Sequence, residues 1–176
     1  MSDALGGPYT VVCALLIVAG AYKARRPRAT TGAMRALALP SGDRLTRVLG
    51  GAEIALGTAA VLTGWAPLAG LVAASYAGFA GFVVAARRRG TMVQSCGCLG
   101  EIDVPPSPVH VGVNVAASAV AIAAAVVRVD GLGATLADEA LAGVPFLALV
   151  AAAVCAIVVL ITAVPGTRSA RVSRSG

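Results

Sequence analysis

Charge is what this sequence has least of. Lysine, arginine, aspartate and glutamate make up 12% of the 176 residues, against 58% hydrophobic residues, and the mean hydropathy is +0.87. A soluble domain has about a quarter of its residues charged, so this shortage excludes that class and leaves an integral membrane protein. The chain is too short to carry a large extramembrane domain beside its apolar runs. It has no long internal repeat, and none of its glycines opens a helix after a strand, which argues against a phosphate-binding loop. Thiols are scarce too: of four cysteines, Cys13 and Cys155 stand alone, and no second cysteine pair accompanies Cys96 and Cys98.

What remains is a set of apolar runs near residues 8–24, 48–64, 66–86, 109–127 and 142–164. Each is long enough to cross a hydrocarbon core of roughly 30 Å at about 1.5 Å per residue. They predict an all-α, polytopic membrane bundle forming a single domain over 1–176, with a four-helix core, a fifth C-terminal helix and a basic tail over 165–176. The 48–64 run is interrupted by Glu53 and several glycines, and Trp65-Ala66-Pro67 makes a tight hairpin with the run that follows. Asp3 is the only charge before the first run and basic residues follow it, so a true first helix is expected rather than a cleaved signal.

All of the 14 lysines and arginines except Arg128 fall in three clusters: Lys23 to Arg47, Arg87 to Arg89, and Arg168 to Arg174. The positive-inside rule places these clusters in the cytoplasm. That puts the N-terminus, the 65–67 link and the acidic 128–141 segment outside, and it requires an odd number of spans. The expected location is the cell's inner (plasma) membrane, crossed several times. Orientation and contact with anionic lipid head groups account for the net charge of +6 without a nucleic-acid partner. Gly70, Ala74 and Gly78 recur every four residues, Gly50, Gly51 and Gly57 thin the preceding helix, and the fourth span is rich in alanine. Such faces predict close helix packing within the chain, or in a homo- or hetero-oligomer.

Ser95-Cys96-Gly97-Cys98-Leu99-Gly100 carries the most chemistry. Two thiols one glycine apart can be oxidised, exchange disulfides or hold a soft metal, or they can be unreactive small side chains. Gly97 lets the chain curl enough for a strained, easily reduced disulfide. Pro105, Pro106 and Pro108 delay the next helix to about Val109, and His110 and Asn114 then share one face of its first turns. His110, the sole histidine, can act as proton acceptor, metal ligand or polar cap. Glu53 is a carboxylate inside a span, which costs about 2.5–3.5 kcal/mol at the centre and calls for a partner or a wet cavity. If Arg47 marks the helix end, Glu53 sits a turn or two from it, within reach of the cysteine loop, moving a proton or holding a basic partner. Cys13 and Cys155 read as small apolar residues and Trp65 as an interfacial anchor. Tyr76, Phe79 and Phe82 read as packing or lipid-facing residues that could also line a quinone pocket.

The Cys-Gly-Cys hexapeptide, the polar loop after it and the asparagine entering the next helix resemble the methylamine-utilisation MauE family of DoxX-like, redox-associated membrane proteins. Glu53 within Gly51-Ala52-Glu53-Ile54-Ala55-Leu56-Gly57, and Tyr22-Lys23 before the basic loop, resemble it as well. The resemblance spans roughly residues 8–127. It implies a four-helix bundle broadly similar to quinone-linked vitamin K epoxide reductase relatives, with thiols in disulfide handling for exported proteins. Only Cys96, Cys98, Glu53 and Asn114 carry over by position. The chain departs from that picture in lacking a shuttle pair and in placing its dithiol on the reducing, cytoplasmic side.

Two chemical readings and one structural reading follow. In the first, Cys96 and Cys98 cycle between dithiol and disulfide with a thiol-containing protein or membrane redox partner, and Glu53 or His110 moves the proton, with Asn114 beside them and a quinone as the one cofactor in view. In the second, Cys96, Cys98 and His110 hold zinc or copper, completed by Glu101 or Asp103, or the two thiolates alone hold copper(I). In the third, the chain is a non-catalytic assembly subunit of a membrane complex.

Overall fold

The computed structural model describes residues 2–89, 107–133 and 143–172, with side chains for 4–89, 107–133 and 143–162. Among the described residues six helices follow one another: α1 (Ser2–Arg25), α2 (Pro27–Ala36), α3 (Asp43–Thr63), α4 (Ala66–Arg88), α5 (Pro108–Val127) and α6 (Gly143–Val172). All but α2 are long and apolar enough to cross a membrane. The protein is therefore an all-α, multi-pass membrane bundle, and the five expected spans coincide with α1 and α3 to α6.

Local chemistry explains the helix ends. Gly64 closes α3 in the left-handed region at φ 63°, its N–H donating to Ala60 O at 3.0 Å. A Cβ there would collide with the backbone of Val129 to Gly131, so only glycine lets the α3–α4 turn rest on the chain leaving α5. Pro67 occupies the first turn of α4 and Pro108 that of α5, where a missing N–H costs nothing.

Two antiparallel pairs carry most of the contacts, α1 with α3 and α4 with α5. The α4–α5 seam is legible in the spacing of its buried residues. Ala69, Ala73, Tyr76, Ala80 and Val83 face His110, Asn114, Ala117, Ala121 and Ala124, each series stepping alternately by four and three. That step keeps one stripe facing the partner helix. Ser118 Oγ donates to Ala73 O across the seam at 3.0 Å. Tyr9, Cys13 and Leu16 of α1, Ala60 of α3, Val72 and Tyr76 of α4 and Ala121 of α5 meet in one core, and the Tyr76 hydroxyl donates to Val12 O at 2.7 Å. A separate cluster joins Leu15 of α1 to Val150 and Val154 of α6, on the side of α1 turned away from that core.

The structure corrects the sequence reading in three places. Residues 27–36, expected as loop, form α2, which buries Pro27, Thr30, Thr31 and Ala33. Thr31 Oγ1 donates to Asp43 Oδ1 at 3.0 Å and lies 3.0 Å from Thr46 Oγ1, tying α2 to the start of α3. Helix α3 begins at Asp43, so Arg44 and Arg47 belong to it and Glu53 sits ten residues in, roughly 15 Å along the axis at 1.5 Å per residue. Among the described residues the Gly70, Ala74, Gly78 face packs on no helix: all three residues are exposed, and a Cβ on Gly70 or Gly78 would meet nothing within 4 Å, so of its two expected settings the one within the chain is not met there. Close packing falls on Gly50 and Gly57, as expected, and on Gly20.

The α1–α3 approach is tightest at Gly20 and Gly50. A Cβ on either would lie 2.5 Å from the other's carbonyl oxygen, a backbone atom that cannot yield unless the helices separate. Gly50→Ala is therefore expected to lower stability by about 1–3 kcal/mol in a detergent unfolding titration. Gly51→Ala, one residue on with open space around it, should raise stability by up to about 1 kcal/mol because alanine is the better helix former.

Candidate functional site

The glycine contact places two opposite charges together. Gly20-Ala21-Tyr22-Lys23 on α1 runs antiparallel to Gly50-Gly51-Ala52-Glu53 on α3. The arrangement is reciprocal: a Cβ on Gly20 would lie 3.0 Å from Glu53 Cβ, and one on Gly50 would lie 3.1 Å from Lys23 Cβ. Each glycine thus opens the space that the opposing charged side chain occupies. Lys23 Nζ donates to Glu53 Oε2 at 2.7 Å, and the two side chains are 4% and 5% exposed.

A third helix completes the cluster. The Lys23 ammonium sits 4.5 Å from the centre of the Phe79 ring, and Phe79 meets Tyr76 edge-on at 5.8 Å. The ring face offers electron density to a cation that has one hydrogen-bond acceptor among the described residues. Glu53 Oε1 is buried and has no hydrogen-bond partner among the described residues. Glu53 therefore does not reach toward the interface; it lies inside the bundle holding a basic partner, as one of its two expected roles required. That partner, Lys23, is read from sequence as an orienting cation and, with Tyr22, as part of the family resemblance, but not as the partner of Glu53; the repeated Gly-x-x-charge pattern is the signal that marks it.

Beside the pair, a pocket of about 220 Å³ opens between α2, α3 and α4, lined by Lys23, Met34, Leu49, Gly78, Phe79 and Phe82 among others. The aromatic side chains named from sequence divide between two settings. Tyr76 is buried in the core, and Phe79 and Phe82 border this pocket.

His110 and Asn114 do share one buried face, at the start of α5. Ser107 Oγ lies 2.7 Å from His110 Nδ1, and Asn114 Nδ2 donates to His110 O at 2.7 Å, so both side chains are held within their own helix turn. Among the described residues no hydrogen bond links them to Glu53, whose bond goes to α1. Cys96 and Cys98, with Glu101 and Asp103, lie outside the described residues. Their flanks are described: the chain leaves α4 at Arg89, whose Nη1 donates to Ala36 O of α2 at 3.4 Å, and returns at Ser107. Both flanks lie at the bundle end that carries α2, the end nearer Lys23. Of the remaining thiols, Cys13 is buried in the core and Cys155 is exposed on α6. No group of three metal-ligating side chains occurs among the described residues.

A model of the family described as Methylamine utilisation protein MauE matches residues 4–129, most of the chain. The chain belongs to the MauE family. The MauE match takes in α1 to α5 and the 90–106 segment with both cysteines, while α6 lies beyond it. No curated protein matches the chain, and no solved structure does.

Removing one member of a buried ion pair leaves the other charge unpaired, whereas replacing both with apolar side chains is often neutral. Lys23→Leu or Glu53→Leu alone should each cost about 3–5 kcal/mol, and the double variant should recover most of that loss. A double-mutant cycle in detergent unfolding checks this, and additive losses would show that the two side chains do not act as a pair.

Proposed function

We propose that this MauE-family protein is a membrane thiol–disulfide exchange protein, with Cys96 and Cys98 as the reacting pair. The observation that carries the reading is the family match across the segment holding the Cys-Gly-Cys motif. We also read the chain as kin to the wider DoxX-like group, and its architecture as a four-helix unit of α1, α3, α4 and α5 with α6 appended to α1.

In this reading one thiolate attacks a partner protein's disulfide and forms a mixed disulfide, releasing one partner thiolate. The second thiol of the pair then loses its proton, attacks the mixed disulfide and expels the other partner thiolate. Cys96 and Cys98 end oxidised and the partner reduced by the same two electrons; the reverse sequence oxidises the partner. His110, fixed by Ser107 at the first turn of α5, is the group we assign to accept the resolving proton, with Asn114 setting the turn behind it. Glu53 acts by holding Lys23 and with it the α1–α3 frame. The arginine clusters support a cytoplasmic position for the pair and the C-terminus, with the N-terminus outside. In a reducing compartment the pair passes electrons on rather than forming stable disulfides.

The test is acid-quenched trapping in intact cells. Of Cys96→Ser and Cys98→Ser, the variant that removes the resolving thiol should accumulate a reductant-sensitive adduct with a thiol protein at several-fold the wild-type amount, and the variant that removes the attacking thiol should form none. A membrane-impermeant thiol reagent should label the pair only after lysis. Thiols that stay reduced in every variant and become blocked when copper or zinc is supplied would replace this reading with metal binding.

A further inference from the structure

We propose that the pocket between α2, α3 and α4 binds an uncharged amphiphile from the bilayer, whose head presents a carbonyl oxygen to Lys23. Three observations combine. First, the pocket lies within the membrane-spanning lengths of α3 and α4, and its rim residues Leu49, Ala74 and Gly78 are exposed, so it opens sideways into lipid. Its walls are mostly apolar, including Met34, Phe79 and Phe82, and its volume of about 220 Å³ suits a head and the first few carbons of a chain, not a whole lipid.

Second, Lys23 forms part of the pocket wall while only 3% exposed. An ammonium has three N–H donors. Here one goes to Glu53 Oε2 and the cation faces the Phe79 ring, which leaves donor capacity among the described residues. Buried polar groups rarely leave such capacity unused. Third, Glu53 neutralises Lys23, so the pocket's polar element carries no net charge. A carboxylate or phosphate head would leave a net negative charge buried beside the Glu53 carboxylate, whereas a carbonyl accepts a hydrogen bond without bringing a charge. Both acylglycerol esters and membrane-soluble ring ketones offer that chemistry. The assignment concerns binding alone and stands whether or not Cys96 and Cys98 react.

The experiment uses the full chain in lipid nanodiscs, with a diazirine-bearing monoacylglycerol as the probe and mass spectrometry to locate the label. Labelling should concentrate on the α4 segment 74–82 and around Met34. Gly78→Phe fills the pocket from a position where an added Cβ meets nothing within 4 Å. It should keep the thermal stability of the wild type and cut labelling about tenfold. The Lys23→Leu/Glu53→Leu double variant, which retains the apolar walls, should weaken labelling by about tenfold through loss of a charge-assisted hydrogen bond. Displacement by unlabelled monoacylglycerol assigns an ester occupant, and displacement by a decyl-benzoquinone assigns a ring ketone. Decanoate displacing the probe better than either would overturn the proposal. So would labelling spread evenly over lipid-facing positions such as Val115 and Val159, or labelling indifferent to Gly78→Phe in a protein of unchanged stability.

Discussion

The backbone contact between Gly20 and Gly50 is the constraint on which the rest of the bundle depends. Two helices carrying any side chain at those positions would stand apart by at least a Cβ on each side, and the Lys23–Glu53 hydrogen bond would have to rearrange to persist. The same two glycines make the room the charges need, since each lies beside the opposing charged residue. Helix separation, charge pairing and the placement of Phe79 over the ammonium are thus one geometric solution. Hydrophobic drive between helices is weak in lipid, so shape fit of this kind, together with the alanine seam of α4 and α5, sets which surfaces meet.

The pair's contribution lies less in net stability than in uniqueness. Desolvating two charges costs several kcal/mol for each ion, and the mutual attraction and the Phe79 ring offset that cost only in this register. A slip of α3 by one residue along α1 would bury both charges unpaired. Register then passes outward: α3 in place positions Asp43 and Thr46 for α2, and α2 in place sets the backbone oxygen of Ala36 against Arg89, where the cysteine-bearing segment begins.

The spans were legible because a 20-residue apolar run in water-excluding lipid has essentially one conformation open to it. The buried seam of α5 was legible in its alanines for the same reason. Helix α2 was not, since ten residues of threonine, arginine and alanine carry too weak a helical signal alone and are held by contacts to α3 and α4 that no local window contains. Taking Arg47 as a helix end misplaced Glu53 by a turn, because an arginine near a span's edge can lie inside the helix and still reach the head groups. The Gly70, Ala74, Gly78 stripe shows the converse limit: small residues at helical spacing permit a close neighbour without supplying one. The Cys-Gly-Cys motif was visible as chemistry at once, but its setting depends on residues outside the described structure.

The reciprocal pairing of Lys23 and Glu53 also bears on how the chain enters the bilayer. Glu53 lies at the middle of α3, where a lone carboxylate costs about 2.5–3.5 kcal/mol to insert, whereas Lys23 lies in the last turn of α1. Helix α3 does not reach its final environment cheaply by itself, whereas α1 and α3 together present a neutral, hydrogen-bonded unit. The 17 residues between Arg25 and Asp43 keep α1 and α3 close along the chain, so the mid-span carboxylate has its counter-charge on the span made just before it.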